Sequence, residues 1–170
     1  MKKMNNKGFS LVELIVVVAI MAVLMAVLVP TLIRNVEKTR VQKDKSAIAE
    51  IHHATELAIA DEEYLTAKVS STGSVCSASN DSVIVANLFD STADSAGAKL
   101  ADEVEATVGE KVKLTSKMKN DCTVKIVYLD TATGKVVFTV KSTEAKEEFF
   151  IDSTGENTGT YGGSTVAGVS

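Results

Sequence analysis

Glu13 is the residue of this chain whose position most needs a chemical reason. It stands at the head of an apolar run that carries no charge from Leu14 to Pro30. An ionisable side chain taken to membrane depth costs about 2.5 kcal/mol or more, so a carboxylate there is expected to have a specific partner. The plain alternative is that Glu13 snorkels to the headgroups near the helix start. Three further groups could do chemistry. His52, His53 and Glu56 fall at the three- and four-residue spacings that share a helix face, as a metal site would need. No second set of ligands completes such a site, so they read as exposed or packing residues. Cys76 and Cys122 could close one disulfide worth a few kcal/mol, or remain two thiols. Asn80-Asp81-Ser82 matches the glycosylation triplet, a pattern common by chance. No serine or cysteine stands beside a plausible base, and there is no glycine loop for phosphate. The sequence therefore reads as that of a non-enzyme without a cofactor or metal.

The residues around Glu13 resemble the N-terminus of the type IV pilins. A short basic leader, Met1 to Gly8, is followed by Phe9, by a glutamate four residues later, and by an unbroken apolar helix with Pro30 near its end. The resemblance implies a membrane-bound prepilin peptidase that cuts between Gly8 and Phe9 and N-methylates Phe9. An ordinary secretory signal differs, since its apolar region precedes the cut and is discarded. Cleavage would create an α-amino group, ordinarily with a pKa near 8, at the positive end of a helix dipole. Glu13, one turn on, could neutralise that amine on its own chain or on a neighbour. The resemblance implies the neighbour, with Phe9 and Glu13 serving subunit assembly. It also implies a helical homopolymer as partner, with an assembly platform and ATPase acting indirectly.

The elements that must position these residues follow from the pattern. An apolar stretch of roughly 20 residues crosses the hydrocarbon core as a helix, which assigns residues 9–33 to a membrane span or filament core. Pro30 removes the hydrogen bond to the Ala26 carbonyl and predicts a kink. A helix end at that point is disfavoured, because a helical pattern resumes without a cap. Val41, Ile48, Ile51, Ala58 and Ile59 mark one apolar face, so residues 34–63 read as the amphipathic half of the same helix. Residues 64–151 read as a globular head. It begins with a Ser/Thr/Asn/Asp-rich segment holding a short helix near Val83–Phe89. A helix over Ala98–Val108, capped by Gly109, follows. Strands are expected at Val112–Thr115, Cys122–Leu129, Lys135–Ser142 and Phe149–Ile151, with a hairpin turn at Asp130–Gly134. In the second of these, Val124, Ile126 and Tyr128 should share one face. The fold class is α+β, a long helical spine carrying a small antiparallel sheet. That plan also resembles the pilin head.

Residues 152–170, with Gly155, Gly159, Gly162, Gly163 and Gly168, lack an apolar pattern and read as a tail that is either loose or pinned only through Tyr161 and Val166. Asp152 and Glu156 make a poor calcium cage, which takes six to eight oxygens. The cysteines do not bracket the C-terminus as they do in familiar pilins. With 18 basic and 22 acidic residues, loss of Lys2, Lys3 and Lys7 with the leader leaves 15 against 22. Nothing in that balance invites nucleic acid. Arg34, Lys38, Arg40, Lys43 and Lys45 follow the apolar run, and charge counting alone would keep that side inside. The outward orientation comes from the resemblance. The expected function is a structural subunit, the major one, of a type IV pilus. A pseudopilin of a secretion or DNA-uptake machine and a membrane-anchored binding module are the alternatives.

Overall fold

The computed structural model describes residues 10–60, 66–70, 73–77, 79–89, 95–130 and 134–151. It divides into two compact units, residues 1–38 and 39–170. Helix α1 (Leu11–Ala58) runs unbroken through Pro30. In the first unit the large apolar side chains of α1 are all exposed, from Leu11 at 73% to Ile33 at 64%. Its apolar stretch has a mean hydropathy of 3.1, none of it buried within the chain, and is long and apolar enough to cross a membrane.

The second unit is an α+β head. Its four-stranded antiparallel sheet has the order β1-β4-β5-β6, from β1 (Ser74–Val75), β4 (Thr123–Asp130), β5 (Lys135–Ser142) and β6 (Glu147–Ile151). β2 (Ser82–Ile84) pairs separately with β3 (Lys111–Lys113), and helix α2 (Ser95–Val108) lies between them in sequence. The part of α1 in this unit packs its apolar stripe on the sheet. Val41, Ile48, Ile51, Ala58 and Ile59 join Val124, Ile126, Val136, Phe138, Val140 and Phe149 in one core cluster. Each fully buried isoleucine there stabilises the fold by roughly 1.5–3 kcal/mol.

Local signals account for the boundaries. Gly109 adopts φ +94° after α2, and its N–H donates to the Glu105 carbonyl at 2.8 Å, so the helix ends where a left-handed residue is available. Gly73, at φ +66°, is required for a second reason: a Cβ there would lie 2.5 Å from the Val124 carbonyl oxygen. Three expectations shift. Helix α1 is assigned to Ala58, its last turn tightening through Ala60 N–H to the Leu57 carbonyl, while residues 61–63 lie outside the described residues. Residues 82–84 form a strand and the 3₁₀ turn covers only Val85–Leu88, because 82–84 pair with β3, with Leu114 N–H donating to the Asp81 carbonyl and Val85 N–H to the Glu110 carbonyl on either side. The alternation expected for β4 breaks at a bulge between Ile126 and Tyr128. Tyr128 comes opposite Val137, and Leu129, opposite Val136, packs against the core.

Two carboxylates fasten the head. Asp44 on α1 is 1% exposed and accepts from Thr115 N–H (2.9 and 3.1 Å), Thr115 Oγ1 (3.0 Å) and Ser116 N–H (2.7 Å). It thereby ties the loop after β3 to the long helix. Asp121, just before β4, holds the β5–β6 turn, accepting from Ser142 Oγ (2.6 Å), Thr143 N–H (2.7 Å), Thr143 Oγ1 and Glu144 N–H (3.0 Å). Desolvation pulls the Asp121 pKa up, but these hydrogen bonds together outweigh it and hold it at about 2.

Asp44→Ala would strand two backbone donors in the interior. It should destabilise the head by roughly 3 kcal/mol in urea titration of the detergent-solubilised chain. The folded-state pKa of Asp121 is depressed, so its stabilisation is present above the unfolded value of 3.8 and is lost as pH falls toward 2. Urea midpoints measured across that interval should fall with pH in the natural chain and fall less steeply in Asp121→Asn.

Candidate functional site

The first turn of α1 organises the candidate site. Ser10 precedes the helix, its carbonyl accepts from Leu14 N–H at 3.3 Å, and Glu13 Oε2 accepts from Ser10 N–H at 2.9 Å. A carboxylate at the third helical position reaching back to the N-cap amide satisfies a donor that the helix cannot. It also places negative charge at the positive end of the dipole. The Ser10-x-x-Glu13 spacing that announces this arrangement is legible in the sequence, yet the expectation above treated Glu13 only as a partner for an amine. Glu13 retains acceptor capacity beyond its one bond to Ser10, since a carboxylate offers about four lone-pair sites. Gly8 and Phe9, the expected cleavage and methylation residues, lie outside the described residues.

Below Glu13 the helix presents apolar side chains in every direction. Val12, Ile15, Val16, Val17, Ile20 and Val23 are all exposed. A continuous apolar surface of this kind marks a membrane or protein-association site. Pro30 sits within the helix, and one residue on Thr31 Oγ1 donates to the Val27 carbonyl at 3.3 Å. Beyond it the exposed surface turns basic at Arg34 and Lys38.

The other singled-out residues fall in the head. His52 and His53 are separated by the helix: His52 is 3% exposed, whereas the His53 side chain is 71% exposed. His52 Nε2 donates to the Val136 carbonyl at 2.9 Å, since a carbonyl can only accept, and its ring meets Phe138 edge-on with centroids 5.2 Å apart. Its Nδ1 lies 3.7 Å from Glu56 Oε2. His52 is thus a packing residue that docks α1 onto β5. Among the described residues no group of three His, Cys, Asp or Glu side chains could hold a metal ion. Asp152 and Glu156 lie outside the described residues. Cys76 and Cys122 are both buried and are thiols here, brought side by side across the β1–β4 pair.

Comparison with known proteins bears on the N-terminal segment. Residues 3–29 match the family described as the prokaryotic N-terminal methylation motif. The match spans Gly8, Phe9 and Glu13 together with most of the exposed apolar helix. Comparison with curated proteins and with solved structures gives no match.

Proposed function

For a chain whose residues 3–29 carry the class III leader of type IV pilin-like proteins, we propose the role of structural subunit, the major one, of a type IV pilus. Prepilin peptidase cuts after Gly8 and N-methylates Phe9. The subunit waits in the membrane through α1 and then enters an extracellular filament in which copies of that helix bundle. The leader and the apolar helix fit a membrane-anchored precursor. The observation that carries the assembly step is the pairing of an uncovered apolar helix with Glu13 at its head.

Lipid and a bundle of like helices both satisfy the apolar surface, but only a charged or polar partner satisfies the carboxylate at depth. The Ser10 amide takes one of its lone pairs. The Phe9 amine of an adjacent copy takes the remainder and fixes the axial register between subunits. A simple anchor needs no more from that acid than the cap on the Ser10 amide. The head supplies no machinery for catalysis in this reading; it is the exposed face of the fibre, and adhesion or motility belongs to that face and to the machine that moves it.

Intact-mass measurement of sheared surface fibres should give, as the most abundant species, a chain beginning at methylated Phe9; a species retaining Met1 would overturn the processing step. Glu13→Ala should be cleaved normally while fibre yield falls by an order of magnitude or more. Loss of one charge-assisted interaction of about 1.5–3 kcal/mol is multiplied at every added subunit. Unchanged fibre yield would contradict the charge pairing.

A further inference from the structure

β1 is two residues long, and the residue that follows it stands opposite another cysteine. Ser74 pairs with Val124 and Val75 with Thr123, so the next step in register sets Cys76 against Cys122. The Cys76 N–H donates to the Cys122 carbonyl at 2.7 Å. Directly opposed residues of an antiparallel pair carry their side chains to the same face with Cα atoms about 4.5–5.5 Å apart, within the 4.4–6.8 Å or so that a disulfide spans. Both side chains are buried, Cys76 at 2% and Cys122 at 0% exposure. The two thiols hydrogen-bond to each other, and Cys76 Sγ also donates to the Ser82 carbonyl at 3.3 Å.

We propose that Cys76 and Cys122 are a disulfide-forming pair that closes within one chain when the head meets an oxidising compartment. The site takes a disulfide oxidant as its co-substrate, and it rests on the exported placement of the head given above. One cysteine of the pair, as its thiolate, attacks one sulfur of the oxidant, forming a mixed disulfide and releasing the first oxidant thiol. The other loses its proton and attacks the protein sulfur of that mixed disulfide, releasing the second. Two protein thiols lose two protons and two electrons in all, and one oxidant disulfide gains them. The hydrogen bond from Cys122 holds the Cys76 thiol below its ordinary pKa against the opposing effect of burial, while that same bond and burial push Cys122 up. The disulfide would clamp β1, the shortest strand at the sheet edge, to β4, and with it the segment that leads to the β2–β3 pair.

Two measurements on the full chain test this. Purified chain in detergent, reduced and then incubated with oxidised glutathione, should lose both thiols to alkylation in denaturant. It should become two hydrogens lighter without dimerising, and melt on the order of 10 °C higher than the reduced form. The double variant Cys76→Ser/Cys122→Ser should show no such dependence on reductant. Persistent free thiols, glutathione adducts or an inter-chain dimer would overturn the pairing. Fibres sheared from cells and alkylated in denaturant without reductant should likewise show no free thiols. Reduced fibres from a chain that pairs readily with glutathione would leave the pairing standing and contradict the oxidising, exported placement of the head.

Discussion

A carboxylate at the mouth of an otherwise uninterrupted apolar helix is the constraint on which the rest of this protein depends. From Leu11 to Ile33 the helix exposes its large side chains on all faces, and none of its apolar stretch is buried among the described residues. Water is the one environment in which such a surface does not persist. Glu13 then distinguishes between the environments that remain. At the helix start it satisfies the Ser10 amide and neutralises part of the dipole, which suffices at a membrane surface. Deeper, among packed helices, it needs a cation, and a trimmed chain start is the cation that the leader makes available.

The head is built around polar anchors as much as around its apolar core. Asp44 and His52 lie on the same helix and reach two different parts of the fold, the loop after β3 and the β5 strand. A stripe of Ile48 and Ile51 alone would permit the helix to slide or rotate on the sheet, because the hydrophobic effect has no direction. The Asp44 clamp and the His52 hydrogen bond fix both the register and the azimuth. Lys45, which meets Glu147 at 2.7 Å and lies over the Phe149 ring at 4.7 Å, adds a contact to the edge strand β6 from the next position along the helix. Asp121 holds the turn between β5 and β6, so the entry to the same strand is fastened a second time.

Much of this was legible in the sequence because it is local or periodic. The 3.6-residue stripe from Val41 to Ile59, the glycine stop at Gly109 and the shared face of Val136, Phe138 and Val140 are each written in a few neighbouring residues, and each recurs in the fold, although Val137 and Thr139 between them are buried too. What was not legible is long-range. Nothing near Asp44 in sequence announces that it is buried, since the hydrogen bonds it accepts come from Thr115 and Ser116. The β4 bulge depends on how β5 meets it, and β2 depends on β3 from beyond an intervening helix. His52 and His53 are neighbours in sequence with opposite fates, and only the phase of the helix against the sheet decides between them. In the candidate site the Ser10-x-x-Glu13 spacing could have been read as a capping box, but the apolar run beside it directs attention to the membrane first.

The most direct test is a density map of sheared filaments at side-chain resolution. The account predicts a central bundle of α1 helices in which each Glu13 carboxylate lies within hydrogen-bond distance of the methylated Phe9 amine of an adjacent copy, away from water. A filament whose core is made by other surfaces, or one in which Glu13 faces solvent, would contradict it.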